Sequence, residues 1–122
     1  MNSAQVRVRR IYDPPESDDG ARVLVDRLWP RGMSKERAEL TEWCRDVAPS
    51  TELRQWYRHD PDKFGEFEKR YRAELRDPDH ADALASLRGY AGRGTLTLLT
   101  ASKRDDISEA EVVRRMLTGS GG

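Results

Sequence analysis

The densest run of reactive side chains is Asp26-Arg27-Leu28-Trp29-Pro30-Arg31-Gly32. Arg27 and Arg31 flank a proline turn, and Trp29 offers a flat wall between them. Two guanidiniums beside an indole suit a planar or phosphorylated ligand, because each guanidinium presents a rigid fork of donors. The alternative is structural: Asp26 pairs with one arginine and Trp29 fills core. Mid-chain, His59 stands just before Asp60-Pro61, a helix start. An imidazole at a helix N-terminus is held neutral and can exchange protons near pH 7. Asp13 is its candidate partner in acid/base work. A surface histidine packed on Trp56 is the competing reading. Ser102 and Lys103 follow a strong strand, where α/β folds place ligand contacts, and both are candidate anion binders. A solvated lysine beside Asp105 and Asp106 is the plain alternative there.

Those residues need elements to position them. Val6 to Tyr12 alternates apolar and basic residues, as a strand does, and Asp13-Pro14-Pro15 ends it. Val23-Leu24-Val25 is an apolar run too short to assign by period. Ser34 caps a short helix through Leu40. Leu40 to Val47 fits either a helix or a strand. Leu53, Trp56 and Tyr57 then show helical spacing. Asp60-Pro61 and Asp77-Pro78 each open a helix, with Asp as N-cap and Pro in the first turn. Phe64, Phe67, Tyr71 and Leu75 make the first apolar stripe, and Ala81, Leu84 and Leu87 the second. Thr95 to Ala101 is the clearest strand. Ser108 and Glu111 have capping-box spacing before a last helix that buries Val112, Val113, Met116 and Leu117. His80 is expected to be exposed and Cys44 to be a small buried side chain. This order predicts an α/β fold: a small parallel or mixed sheet flanked by helices, one domain over 1–117 with a flexible tail at 118–122.

Composition narrows the function. The chain has 122 residues, the size of one domain. Lys plus Arg equals Asp plus Glu, 22 each, and the zero net charge argues against nonspecific nucleic-acid binding. Arginine outnumbers lysine 18 to 4. Base composition of the genome accounts for such a bias as readily as ligand recognition, so only an arginine placed by a motif carries functional weight. One cysteine and two histidines are too few for a Cys- or His-built metal centre, so no metal and no cofactor is assigned. A carboxylate site for Mg²⁺ has no fixed spacing and stays open. No apolar run nears the ~20 residues of a membrane span, and Met1 to Ala4 lacks the apolar core of a secretory signal, which points to the cytoplasm.

The segment Arg10-Ile11-Tyr12-Asp13-Pro14-Pro15, then Gly20, then Arg22 to Gly32, resembles the YeaO-like branch of the family catalogued as domain of unknown function 488. The likeness continues through Trp43, Ala48 to Arg54, His59-Asp60-Pro61, Phe67, Tyr71, Glu74-Leu75 and Leu98-Leu99, nearly the whole chain. It implies a small α/β fold and no particular activity. Asp13, Arg27, Trp29, Arg31, Ser50, His59 and Lys103 all fall on its motif positions. A shared pocket is one reason for polar residues there; caps and salt bridges are the other, and Ser50 and Asp60 also read as caps. The wider family often carries a cysteine at the last strand's end and Cys-His-Arg before the final helix. Here Ala101 and Ile107-Ser108 stand at those places, so any chemistry other members do with that cysteine and histidine is not done the same way here. Two readings result. In the first, a small anion-bearing ligand sits on Arg27, Trp29 and Arg31, with Ser102 and Lys103 nearby and acid/base help from His59 and Asp13. In the second, the motif is a salt-bridged scaffold of a non-catalytic interaction or regulatory module.

Overall fold

The computed structural model describes residues 5–119. Four strands form one sheet, β1 (Val6–Arg10), β2 (Ala21–Leu24), β3 (Glu42–Trp43) and β4 (Leu96–Thr100), in the order β1-β4-β2-β3 with every pairing parallel. The helices are α1 (Lys35–Ala38), α2 (Thr51–Tyr57), α3 (Phe64–Leu75), α4 (Pro78–Arg93) and α5 (Glu109–Thr118). The expected α/β class and parallel sheet are therefore present. β4, buried at every position, lies between β1 and β2. A central parallel strand is covered on both faces, which explains its nearly unbroken apolar run.

Period-two alternation divides the sheet into two unlike faces. Val6, Val23, Leu96 and Leu98 join the main core with Phe67, Tyr71 and Leu75 of α3, Leu84 and Leu87 of α4, and Val112 and Val113 of α5. Phe67, Tyr71 and Leu75 recur every four residues on one stripe of α3 and are all but inaccessible to water. The opposite face has a small apolar cluster of Ile11, Leu24, Met33, Ala38 and Leu99, with Trp29 and Trp43 packed against it.

At the other end of that face lies a charge cluster. The buried Asp19 carboxylate accepts from Arg22 Nη1 at 2.6 Å, from Arg9 Nη1 at 3.1 Å and from Arg7 Nη2. It also accepts from the Glu16 backbone N–H at 2.9 Å. Arg22 is itself buried and donates onward to the Ala38 carbonyl at 2.8 Å, which ties β2 to the end of α1. Glu16, Asp18 and Asp19 are grouped closely, but the arginines occupy the inner acid. Gly20, next in the chain, has φ +66°, and a Cβ there would overlap the Thr95 carbonyl. Both facts restrict the position to glycine.

Several local expectations meet a stronger competitor. The ambiguous stretch 40–47 resolves into the two residues of β3 and a 3₁₀ turn, Arg45–Val47. Asp60 caps a 3₁₀ turn, Pro61–Lys63, that leads into α3. Ser108 occupies the N-cap of α5, but its hydroxyl donates to the Asp105 carbonyl at 2.8 Å. Glu111 is drawn to Arg114 and Arg115, so the capping box does not close. His80 is half-buried, with Nδ1 2.8 Å from Asp77 and Nε2 3.1 Å from the Ala48 carbonyl oxygen, rather than exposed. Of the expected tail, Thr118 ends α5 and Gly119 caps it in left-handed conformation; 120–122 lie outside the described residues.

Candidate functional site

A cavity of about 540 Å³ opens beyond the carboxyl ends of the sheet. Tyr12 reaches it from the loop after β1, Asp26 to Arg31 from the loop after β2, and Thr100 to Ser102 from the end of β4. Arg54, Gln55, Tyr57 and His59 come from α2 and the turn after it, Phe67 from α3 and Glu109 from the first turn of α5. Parallel sheets leave such a hollow where adjacent strands send their connections apart, as β4 and its neighbours do here. The volume lies within the ~300–1,000 Å³ usual for small-molecule sites.

Arg27, Trp29, Arg31, His59 and Ser102 line this cavity; Asp13 and Lys103 do not. The Arg27 and Arg31 side chains are exposed at its mouth and, among the described residues, make no hydrogen bond or ion pair. The Arg31 backbone is fixed instead, its carbonyl accepting from Tyr12 Oη at 2.8 Å. Trp29 donates from Nε1 to the Met33 carbonyl at 2.7 Å and meets Trp43 edge-on, ring centroids 5.3 Å apart. Its plane is thus set before any ligand arrives. The Ser102 hydroxyl donates to the Arg104 carbonyl at 3.2 Å and its N–H to Thr100 Oγ1 at 3.2 Å, so both donors are engaged within their own loop. His59 is exposed and adopts φ 56°, directly after Arg58 at φ 49°. Its ring lies 5.9 Å from that of Tyr57, while Trp56 is covered by Lys63 and Arg70. Ser50 and Asp60 both serve as caps, accepting from Leu53 N and Asp62 N.

Asp26 does not pair with an arginine. Its Oδ1 accepts from Thr100 Oγ1 at 2.9 Å and its Oδ2 from the Ala101 N–H at 2.8 Å, so the carboxylate locks the loop after β2 to the end of β4. Beside it lies Glu109, which sequence reasoning missed. Burial pushes the Glu109 carboxyl well above the usual carboxylate range. The charge of Asp26 and a hydrogen bond to it push in the same direction, against the Glu109 backbone N–H and Arg54. Burial and a neighbouring carboxylate both disfavour the charged form of a carboxyl, which is why Glu109 is displaced upward. Arg54 was also missed. Arg54 lines the cavity; its Nε is buried with no hydrogen-bond partner, although one Nη reaches Thr51 Oγ1 at 3.2 Å. Tyr57 completes the wall. Its hydroxyl donates to the Ile107 carbonyl at 2.6 Å, its ring stacks on Phe67 at 4.0 Å, and burial together with the nearby Glu109 pushes its pKa up to about 12. The one available signal for Glu109 was its place: an acid in the first turn after the central strand.

Residues 5–120 match the family model described as the inactive DUF488-N3 subclade. The chain belongs to this family. The subclade's match spans the whole sheet and every residue of the cavity. Similar proteins include the uncharacterized protein Rv3073c of Mycobacterium tuberculosis and Mb3100c of Mycobacterium bovis, each 46% identical over 119 residues and 98% of both chains. The uncharacterized protein YeaO of Escherichia coli is 39% identical over 108 residues, covering 88% of this chain and 92% of its own. No solved structure matches. Among the described residues no helix is long and apolar enough to cross a membrane.

Proposed function

We propose that the cavity binds a small molecule bearing a phosphate or carboxylate, seated on Arg27 and Arg31 against the Trp29 wall. One observation carries this reading: both guanidiniums stand unpaired at the mouth of a ligand-sized cavity that Arg54 also lines. The scaffold reading called for Asp26 to be paired with an arginine and for no cleft beside it. Asp26 instead holds Thr100 and Ala101, which leaves the arginines to the cavity.

The reading is binding without turnover. Ala101 lines the cavity where a thiolate nucleophile would stand, and the subclade's own description is inactive. Asp13 lies off the cavity, so His59 has no acid/base partner there from the loop after β1. Thermal-shift titration with inorganic phosphate, alkyl phosphates, sugar phosphates and nucleoside monophosphates tests the reading. At a ligand concentration 100 times Kd, binding stabilises by about 2.7 kcal/mol, a shift well outside error. The Arg27→Ala/Arg31→Ala variant should lose that shift and keep its own melting temperature, because both side chains are exposed. The absence of a shift with any of these anions would remove the proposal.

A further inference from the structure

The cavity is not simply cationic. Three guanidiniums, of Arg27, Arg31 and Arg54, share it with two carboxyls, of Asp26 and Glu109. A site built for a bare anion gains nothing from that acid pair, and a polyanion such as a triphosphate would be repelled by it. Asp26 has both oxygens committed to Thr100 and Ala101, so its place is fixed by the sheet. Glu109 is brought beside it by the first turn of α5. Resting on the anion site proposed above, we infer that the occupant is zwitterionic: its anionic group seats on Arg27 and Arg31, and a protonated amine seats on the Asp26–Glu109 pair.

The physical reason is charge balance. Two neighbouring carboxyls in a poorly solvated place favour a compensating positive charge, and the upward displacement of Glu109 favours a proton there. A ligand ammonium brings the same charge with three N–H donors. On binding, Glu109 releases its proton to solvent and the ammonium replaces it, so the site's net charge is unchanged. The groups that face Glu109 are Asp26 from the loop after β2, Arg54 and Tyr57 from α2, and Tyr71 from α3. Both tyrosines have raised pKa values and stay neutral, so Glu109 is the group that exchanges a proton on binding.

The test is isothermal titration of the whole chain with matched probes. Aminoalkyl phosphates of two to six carbons are compared with alkyl phosphates of the same lengths, and ω-amino carboxylates with plain carboxylates. The two series separate phosphate from carboxylate as the anion. At the best-fitting length the amine should tighten binding about 10-fold or more, the size expected of a charge-assisted contact. At pH 6, where ω-amino carboxylates do not titrate, the heat should vary with buffer ionisation enthalpy and report proton release. Glu109→Gln, which copies the neutral side chain, should abolish both the amine preference and the proton release while alkyl phosphates bind as before. Equal binding of amine and amine-free probes to the wild type, with no proton release, overturns the inference and leaves the anion site standing. Failure of every phosphate and carboxylate to bind overturns both.

Discussion

Replacing Asp19 by asparagine removes one charge from the centre of the Arg7, Arg9 and Arg22 cluster and leaves the shape almost unchanged. The cost follows from what each arginine can do afterwards. Arg7 and Arg9 side chains are 25% and 18% exposed, so they turn toward water. Arg22 is 6% exposed and cannot. Stranding one partner of a buried ion pair costs ~3–5 kcal/mol. Arg22 retains its bonds to the Ala38 and Glu39 carbonyls, which places the expected loss near the lower end, about 3 kcal/mol. For a domain of this size that lowers Tm by roughly 10–15 °C. Urea unfolding followed by both circular dichroism and tryptophan fluorescence measures it. The control is Asp18→Asn: its side chain is 75% exposed and its contact to Arg7 is 3.5 Å long, so it should cost no more than about 0.5 kcal/mol. Acid supplies a second arm. Burial raises the Asp19 pKa, but the Glu16 N–H, Arg22 and Arg9 outweigh it and hold the group below its ordinary 3.8. A depressed carboxylate stabilises above its unfolded pKa, and that stability disappears as pH falls through the folded value. Asp19→Asn should therefore flatten the acid limb of the stability curve. A loss under about 1 kcal/mol, or an acid limb unchanged from wild type, would refute the claim that Arg22 depends on this charge.

Three further outcomes are expected. Burial lowers the His80 pKa, but bonds to Asp77 and the Ala48 carbonyl more than reverse it and raise the group above 6.5. Its contribution is therefore full below about pH 6.5 and fades as pH rises through the folded pKa, and His80→Gln should remove that slope from urea midpoints measured between pH 6 and 9. Burial, with Glu42 and Asp46 nearby, pushes the Cys44 thiol up to about 11, so native protein should resist iodoacetamide at pH 8 and react fully once unfolded, as read by mass spectrometry. His59 holds a left-handed conformation that favours glycine, so His59→Gly should leave stability unchanged or raise it by up to ~1 kcal/mol, as read from urea midpoints.

Local chemistry was legible in the chain itself. The Asp60-Pro61 and Asp77-Pro78 starts, the α3 stripe and the two longer strands follow from caps and periods that span only a few residues. So does the Arg27-Trp29-Arg31 constellation, since a turn of adjacent residues keeps its members together. The capping box at Ser108 and Glu111 is the instructive exception. Its spacing is correct, yet Arg114 and Arg115 on the same helix compete for the acid and win it. The short strand β3 is another, because two residues carry no period to read.

Tertiary structure alone decided which distant groups share a space. β4 pairs with β1 across about 90 residues and with β2 across about 75, and nothing in a local window encodes that insertion. It is this insertion that brings Asp26 to Thr100 and Ala101, sets Glu109 beside Asp26, and leaves Asp13 and Lys103 outside the cavity. The sequence by itself determined the residue types and the elements that hold them, because those depend on backbone preference and period. The acid pair, the orphan donor of Arg54 and the buried Asp19 cluster depend on burial and on partners far along the chain, and these exist only after the sheet has closed.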